Sequence, residues 1–74
     1  MQLCFAPSGR TLVLKEVLGG HEVRHRLAEM GIMVGTELEL LQAAGSGPVM
    51  VRLGSSKIGI GRGMAQRIEV SVKE

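Results

Sequence analysis

Aromatic residues are almost absent from this chain. Phe5 is the single phenylalanine among 74 residues, and tryptophan and tyrosine are missing. Grooves for proline-rich peptides and platforms for single-stranded nucleic acid are both built from aromatic rings. The shortage of aromatic side chains therefore excludes both kinds of binding site.

A block of positive charge is also lacking. Nine lysine and arginine residues are scattered among seven acidic residues, and the net charge is +2. Duplex DNA and anionic membrane surfaces are bound by clustered basic residues. We therefore expect no nucleic-acid partner.

The chain contains one cysteine and no long apolar run. Cys4 has no second cysteine to pair with, so an internal disulfide and a Cys-x-x-Cys zinc motif are both excluded. The first residues lack the basic segment and apolar run of a signal peptide, and no apolar run approaches the ~20 residues that span a bilayer. These absences predict a cytoplasmic protein that does not span a membrane.

Aliphatic residues and glycine make up most of what is present. Hydrophobic residues account for 45% of the chain, and there are 11 glycines. A chain of this length buries only about 60–65% of the surface that its unfolded form exposes, which suits one small core. We expect residues 1–74 to form a single domain.

The central feature of the sequence is an amphipathic helix. Val23, Leu27 and Met30 follow one another at i, i+4 and i+7, which places them on one face. Gly20 is an acceptable helix cap, so the helix is predicted to begin near His21.

Glycines predict how the chain leaves this helix. Gly31 stands where a helix ends in a left-handed residue, and Ile32 is placed to fold back onto Leu27. Val34-Gly35 suits the centre of a type II turn, whose third residue needs a positive φ.

Short alternating segments bounded by glycine predict five strands. They cover residues 11–17, 37–40, 49–53, 57–61 and 67–73. Residues 62–66 suit a single 3₁₀ turn, and residues 1–10 suit a lead-in that ends in a turn. The pattern is typical of a small, partly open barrel with one helix after the first strand.

Five ordered motifs resemble the ferrous iron transport protein A (FeoA) family. They lie at residues 26–32, 35–40, 47–49, 58–61 and 64–70. The chain departs from the family at Val34, where proline is frequent, and at Gly59 and Gly61, where larger side chains are common. The resemblance implies a mostly β, SH3-like barrel of five strands with a short inserted helix. It also implies a non-catalytic, cytosolic accessory protein of ferrous iron uptake, which binds and modulates the GTP-hydrolysing membrane permease FeoB.

A second interpretation is a small metal-binding or metal-sensing protein. His21, His25 and Glu29 recur every four residues on the helix face opposite the apolar one. Side chains at i and i+4 lie about 5–6 Å apart, and nitrogen and carboxylate ligands suit zinc, nickel or ferrous iron. The simpler alternative is a solvated helix face with a His–Glu contact. No cofactor is required by either interpretation.

Partner contacts are expected among arginine, methionine and glycine residues. The candidates are Arg24, Arg26, Met33, Met50, Gly59, Gly61 and Arg62. The arginines either pair with acidic groups of a partner or lay their stems over the core. Met33 and Met50 are expected to be exposed, since methionine makes adaptable contacts. The bare glycines permit close approach by another backbone, which raises the hypothesis of a weak homo-oligomer.

The same glycines do not form a phosphate-binding loop. Position 64 is methionine where the dinucleotide motif has glycine, and no Gly-Lys-Ser/Thr follows. No nucleophile stands at motif spacing from a base, so we expect no enzymatic activity.

Overall fold

The computed structural model describes all 74 residues and contains one antiparallel sheet, one helix of nine residues and two short helical turns. In chain order the elements are a 3₁₀ turn (Leu3–Phe5), β1 (Thr11–Val17), α1 (His21–Glu29), β2 (Glu37–Gln42), β3 (Val49–Leu53), β4 (Ser56–Ile60), α2 (Arg62–Ala65) and β5 (Ile68–Val72). The strand order is β4-β3-β2-β1-β5. The predicted mostly β class, with five strands and a helix after the first, is confirmed. Neither helix has the length and apolar character needed to cross a bilayer.

The core is formed by aliphatic side chains from every strand. In β1, for example, Leu12 and Leu14 are buried while Thr11 and Lys15 are exposed, as a period of two residues requires. Leu27 is the one residue of α1 that is fully buried in this core. Fifteen residues are buried, and none of them is polar. Burial of apolar surface therefore supplies most of the driving force for folding.

Residues 1–6, predicted as part of a lead-in, pack against the core and the sheet. Leu3 is fully buried, and Ala6 is also part of the core. Residue 2 forms an isolated bridge to Glu69, and the Val70 N–H donates to the Met1 carbonyl over 2.8 Å. The segment thus lies along the outer edge of β5. Met1, Leu3 and Phe5 alternate in the sequence, yet Met1 and Phe5 are exposed and only Leu3 is buried, so the pattern alone did not indicate which of them enters the core.

Four elements differ from the sequence prediction in type or in bounds. Strand β5 covers only Ile68–Val72, and β4 begins at Ser56. Residues 62–65 form an α-helical turn and not a 3₁₀ turn, because the N–H groups of Ala65 and Gln66 donate to carbonyls four residues earlier. Strand β2 extends two residues further, to Gln42. Gly61 lies outside β4 and caps α2.

Helix α1 ends in the predicted reversal. Gly31 has a φ of +82°, and the Ile32 N–H donates to the Leu27 carbonyl over 2.9 Å. The Gly31 N–H donates to the Ala28 carbonyl, also over 2.9 Å. These paired bonds form a Schellman motif, which satisfies the last helical carbonyls. Ile32 is thereby turned back into the core, where it is buried.

We expect Gly31→Ala to lower the free energy of unfolding by about 1–2 kcal/mol, because an alanine pays a steric penalty in the left-handed region. Gly63→Ala is the matched control. Gly63 lies in α2 without a positive φ, and a Cβ there meets nothing within 4 Å. Urea unfolding measures both variants, and equal stabilities would contradict the role assigned to Gly31.

Candidate partner-binding site

The turn after α1 is fastened to β1 by backbone hydrogen bonds. The Thr36 N–H donates to the Met33 carbonyl over 2.9 Å, which closes the turn, and Gly35 has a φ of +94°. The Gly35 N–H donates to the Leu14 carbonyl, and the Leu14 N–H donates to the Thr36 carbonyl, each over 2.9 Å. The predicted turn is confirmed. Val34 lies at the tip of this turn, whose backbone is hydrogen-bonded to β1.

The side chain of Thr36 adds a second brace. Its hydroxyl oxygen accepts the Met33 N–H over 3.1 Å, and the hydroxyl donates to the Gly31 carbonyl over 3.4 Å. Met33 and Val34 nevertheless remain 51% and 67% exposed. Two apolar side chains are therefore held in solvent by a loop that is well tied to the sheet.

A pocket of about 390 Å³ lies between β1, α1 and this turn. We call it the α1 pocket. It is lined by Glu16, Val17, Arg24, Ala28, Ile32, Met33 and Val34. Five of these residues are hydrophobic, and Met33 and Val34 contribute their exposed side chains to it.

Two charged side chains also line the α1 pocket. The Arg24 guanidinium reaches back from the helix and donates to the carbonyls of Val17 (3.4 Å) and Gly19 (3.3 Å). Glu16 lines the same pocket and forms no ion pair with Arg24 or any other residue. A mostly apolar lining with a few charged groups is typical of binding pockets.

A second group of predicted contact residues lies around α2. Arg62 donates from Nη2 to the Ala43 carbonyl over 2.7 Å and from Nε to the Gly47 carbonyl over 3.2 Å. Its guanidinium therefore ties α2 to the connection between β2 and β3. These contacts favour a structural role for Arg62 over a contact with a partner.

Methionine exposure follows the sequence prediction at only one of two positions. Met33 is exposed, but Met50 is half-buried. Met50 pairs across the strands with Gly59, and its Sδ lies 3.3 Å from where a Cβ on Gly59 would stand. The thioether thus covers the bare glycine. Gly61 has open space around it, and Arg26 is exposed with no hydrogen bond or ion pair to its side chain.

Comparison with known proteins places this chain in a family. The model of the FeoA domain matches residues 1–72. The chain belongs to the FeoA domain family. It is 36% identical over 72 residues to a Methanocaldococcus jannaschii protein provisionally named Fe(2+) transport protein A, covering 97% of this chain and 87% of the relative.

Solved FeoA structures share the architecture. A crystal structure of an iron uptake regulatory protein (FeoA) superposes with a TM-score of 0.85 at 30% identity, covering 95% of this chain and 93% of the other. Stenotrophomonas maltophilia FeoA, crystallised with zinc, superposes with a TM-score of 0.76 at 25% identity over 96% and 89% of the two chains. That protein is described as a procaryotic SH3 domain protein and proposed as a ferrous iron transport activating factor. The SH3-like fold expected for this FeoA domain is confirmed.

The histidine face of α1 is solvent-exposed in this FeoA domain. The rings of His21 and His25 stack with centroids 6.1 Å apart, and His25 Nε2 lies 3.9 Å from the Glu29 carboxylate. No three His, Cys, Asp or Glu side chains are arranged to hold one metal ion. The face therefore presents at most a pair of neighbouring imidazoles.

Sequence reasoning found part of the α1 pocket. Of the seven expected contact residues, only Arg24 and Met33 line it. Val34 was noted as a departure from the family pattern, yet its position at the tip of a two-residue turn already implied exposure. Nothing in the sequence indicated that Glu16 lines the pocket, because an acidic residue is common at any exposed position of a strand.

We expect Arg62→Ala to lower the free energy of unfolding by about 1–2 kcal/mol, because two carbonyls lose a charged donor. Arg26→Ala is the matched control and should change stability by less than about 0.5 kcal/mol. Thermal unfolding of both variants tests this, and a neutral Arg62→Ala would show that its two hydrogen bonds contribute nothing net.

Proposed function

We propose that this chain is a non-catalytic, cytoplasmic accessory protein of ferrous iron uptake that binds and modulates the cytosolic part of the permease FeoB. Membership in the FeoA family supports the transport role. The observation that carries the proposal is the α1 pocket, with Met33 and Val34 held exposed beside it.

The chemistry of the pocket favours recognition over catalysis. Its lining contains one carboxylate and one guanidinium among five hydrophobic side chains. The guanidinium of Arg24 is already hydrogen-bonded to two backbone carbonyls, so it acts from a fixed position. Such a site suits an apolar side chain of a partner flanked by polar or charged groups.

The exposed side chains are large enough to matter for affinity. Burying an aliphatic or methionine side chain contributes about 1.5–3 kcal/mol, and a few such residues carry most of the binding energy in protein interfaces. Because the turn is already braced by Thr36 and by β1, little backbone entropy is lost when a partner covers Met33 and Val34, and the remaining cost is the rotamer freedom of the two side chains.

We expect Val34→Asp to weaken binding to the purified cytosolic GTPase domain of FeoB by about tenfold or more, because a carboxylate at the mouth of an apolar pocket must be desolvated. Phe5→Asp is the matched control, since Phe5 is 77% exposed and lies outside the α1 pocket. Calorimetric titration measures both variants with and without ferrous iron. Unchanged affinity of the first variant, or an equal loss in both, would contradict this placement of the contact.

A second candidate function is metal binding through the histidine pair. The spacing of His21 and His25 supports it, and a FeoA relative has been crystallised with zinc. Two imidazoles leave tetrahedral zinc with two open positions. A second molecule or water would have to fill them.

We expect the double variant His21→Ala/His25→Ala to lose zinc uptake and to keep its affinity for the FeoB domain. Calorimetry with zinc chloride measures the first property, and the FeoB titration measures the second. Glu22→Gln serves as a control on the same helix, since it removes an acidic side chain outside the face defined by His21, His25 and Glu29. Undiminished zinc uptake by the double variant would eliminate the histidine site.

A further inference from the structure

Strand β4 is the one uncovered edge of the sheet. It stands at the end of the strand order, whereas β5 at the opposite end is covered by residues 1–2. No backbone hydrogen bond outside the regular elements involves residues 56–60. The outward N–H and C=O groups of β4 are therefore free to pair with another strand.

The hairpin between β3 and β4 determines which groups these are. Leu53 pairs with Ser56 across the two-residue turn that contains Gly54, whose φ is +62°. Residues that flank such a turn form a hydrogen-bonded pair, and the pairs alternate along an antiparallel ladder. Every second residue of β4, starting from Ser56, thus bonds to β3. The outward backbone groups belong to Lys57 and Gly59.

This edge also lacks the usual irregularity. The register shifts within β1–β5 and within β2–β3, but β3–β4 pair without interruption over all five residues. A bulge is one way in which proteins turn an edge strand away from further pairing. Strand β4 has no bulge, and the charge of Lys57 is the only feature of this strand that opposes pairing with another strand.

We propose that β4 pairs antiparallel with β4 of a second copy of this chain, with the two-fold axis at Ile58. In this register Lys57 stands opposite Gly59 of the second copy, and the same pair repeats on the other side of the axis. Both pairs use the outward backbone groups, so about four hydrogen bonds form. The two sheets become one continuous sheet.

The side chains fit this register and disfavour its neighbours. Lys57 lies opposite Gly59 of the other copy, a residue that carries no charge and no Cβ, so the pairing brings no like charges together and its aliphatic stem can lie along the Met50 side chain that covers this glycine. A register centred on Lys57 would place two ammonium groups opposite each other, which is destabilising. A register centred on Gly59 would require Gly61, which already caps α2 outside the strand.

Ile58 adds apolar contact at the axis. It is half-buried in the single chain. In the proposed pair the two isoleucines face each other without direct hydrogen bonds, where Cα atoms approach to about 4.5 Å. Five residues from each copy make a small interface, so we expect a dissociation constant of about 0.1–1 mM.

Three variants test the pairing. Lys57→Pro removes an outward N–H that β3 does not use, so the fold is kept while pairing is lost. Gly59→Glu places a carboxylate opposite Lys57 of the second copy, and Gly59→Lys places an ammonium there. The last two share the same new Cβ beside the flexible end of Met50, so they carry opposite charges from the same attachment point.

The measurements are sedimentation equilibrium and nuclear magnetic resonance from about 50 µM to 2 mM, which spans the expected dissociation constant. We expect dimerisation of the unmodified chain, an Hα–Hα contact between the two Ile58 residues in an isotope-filtered experiment, and a monomer for Lys57→Pro. Gly59→Glu should bind itself about tenfold more tightly than Gly59→Lys.

A monomer at every concentration, or equal dimerisation of the two Gly59 variants, would overturn the proposal. If Lys57→Pro fails to fold, the charge pair at position 59 still decides. The inference stands apart from the proposed contact with FeoB, because β4 contributes no residue to the α1 pocket. Val34→Asp should therefore leave self-association unchanged.

Discussion

The reversal of the chain after helix α1 is the constraint on which the rest depends. Gly31 adopts a conformation that other residues reach only with strain, and this brings Ile32 back to the carbonyl of Leu27. The following turn then meets β1 at Leu14. One glycine thus places the helix over the sheet and creates the wall of the α1 pocket.

The surface next to this reversal combines two properties that usually exclude one another. Met33 and Val34 are apolar and exposed, as expected of residues that await a partner. Their backbone is also held in place, because Thr36 bonds to both the N–H and the carbonyl of Met33. The contact proposed here is therefore preformed in its backbone, and binding there would require little backbone rearrangement on this side.

Much of the fold could be predicted from the sequence, because alternation and helix-ending glycines are local signals. The helix, its glycine stop, the five strands and a small barrel followed from such patterns, and family resemblance added the SH3-like form of that barrel. The burial of Leu3 did not, since it depends on a contact with β5 more than sixty residues away. The candidate site was only partly accessible for the same reason: Arg24 and Met33 were named, but Glu16 joins them only after folding.

The composition of the core bears on how this chain tolerates change over time. All fifteen buried residues are apolar, and no buried hydrogen-bond network requires particular side chains at particular positions. Aliphatic cores accept exchanges of similar volume at modest loss of stability. Sequences can therefore drift far apart while the backbone is kept, as the close superposition with a crystallised FeoA at 30% identity illustrates. The residues least free to change are those that adopt backbone conformations with positive φ, such as Gly31.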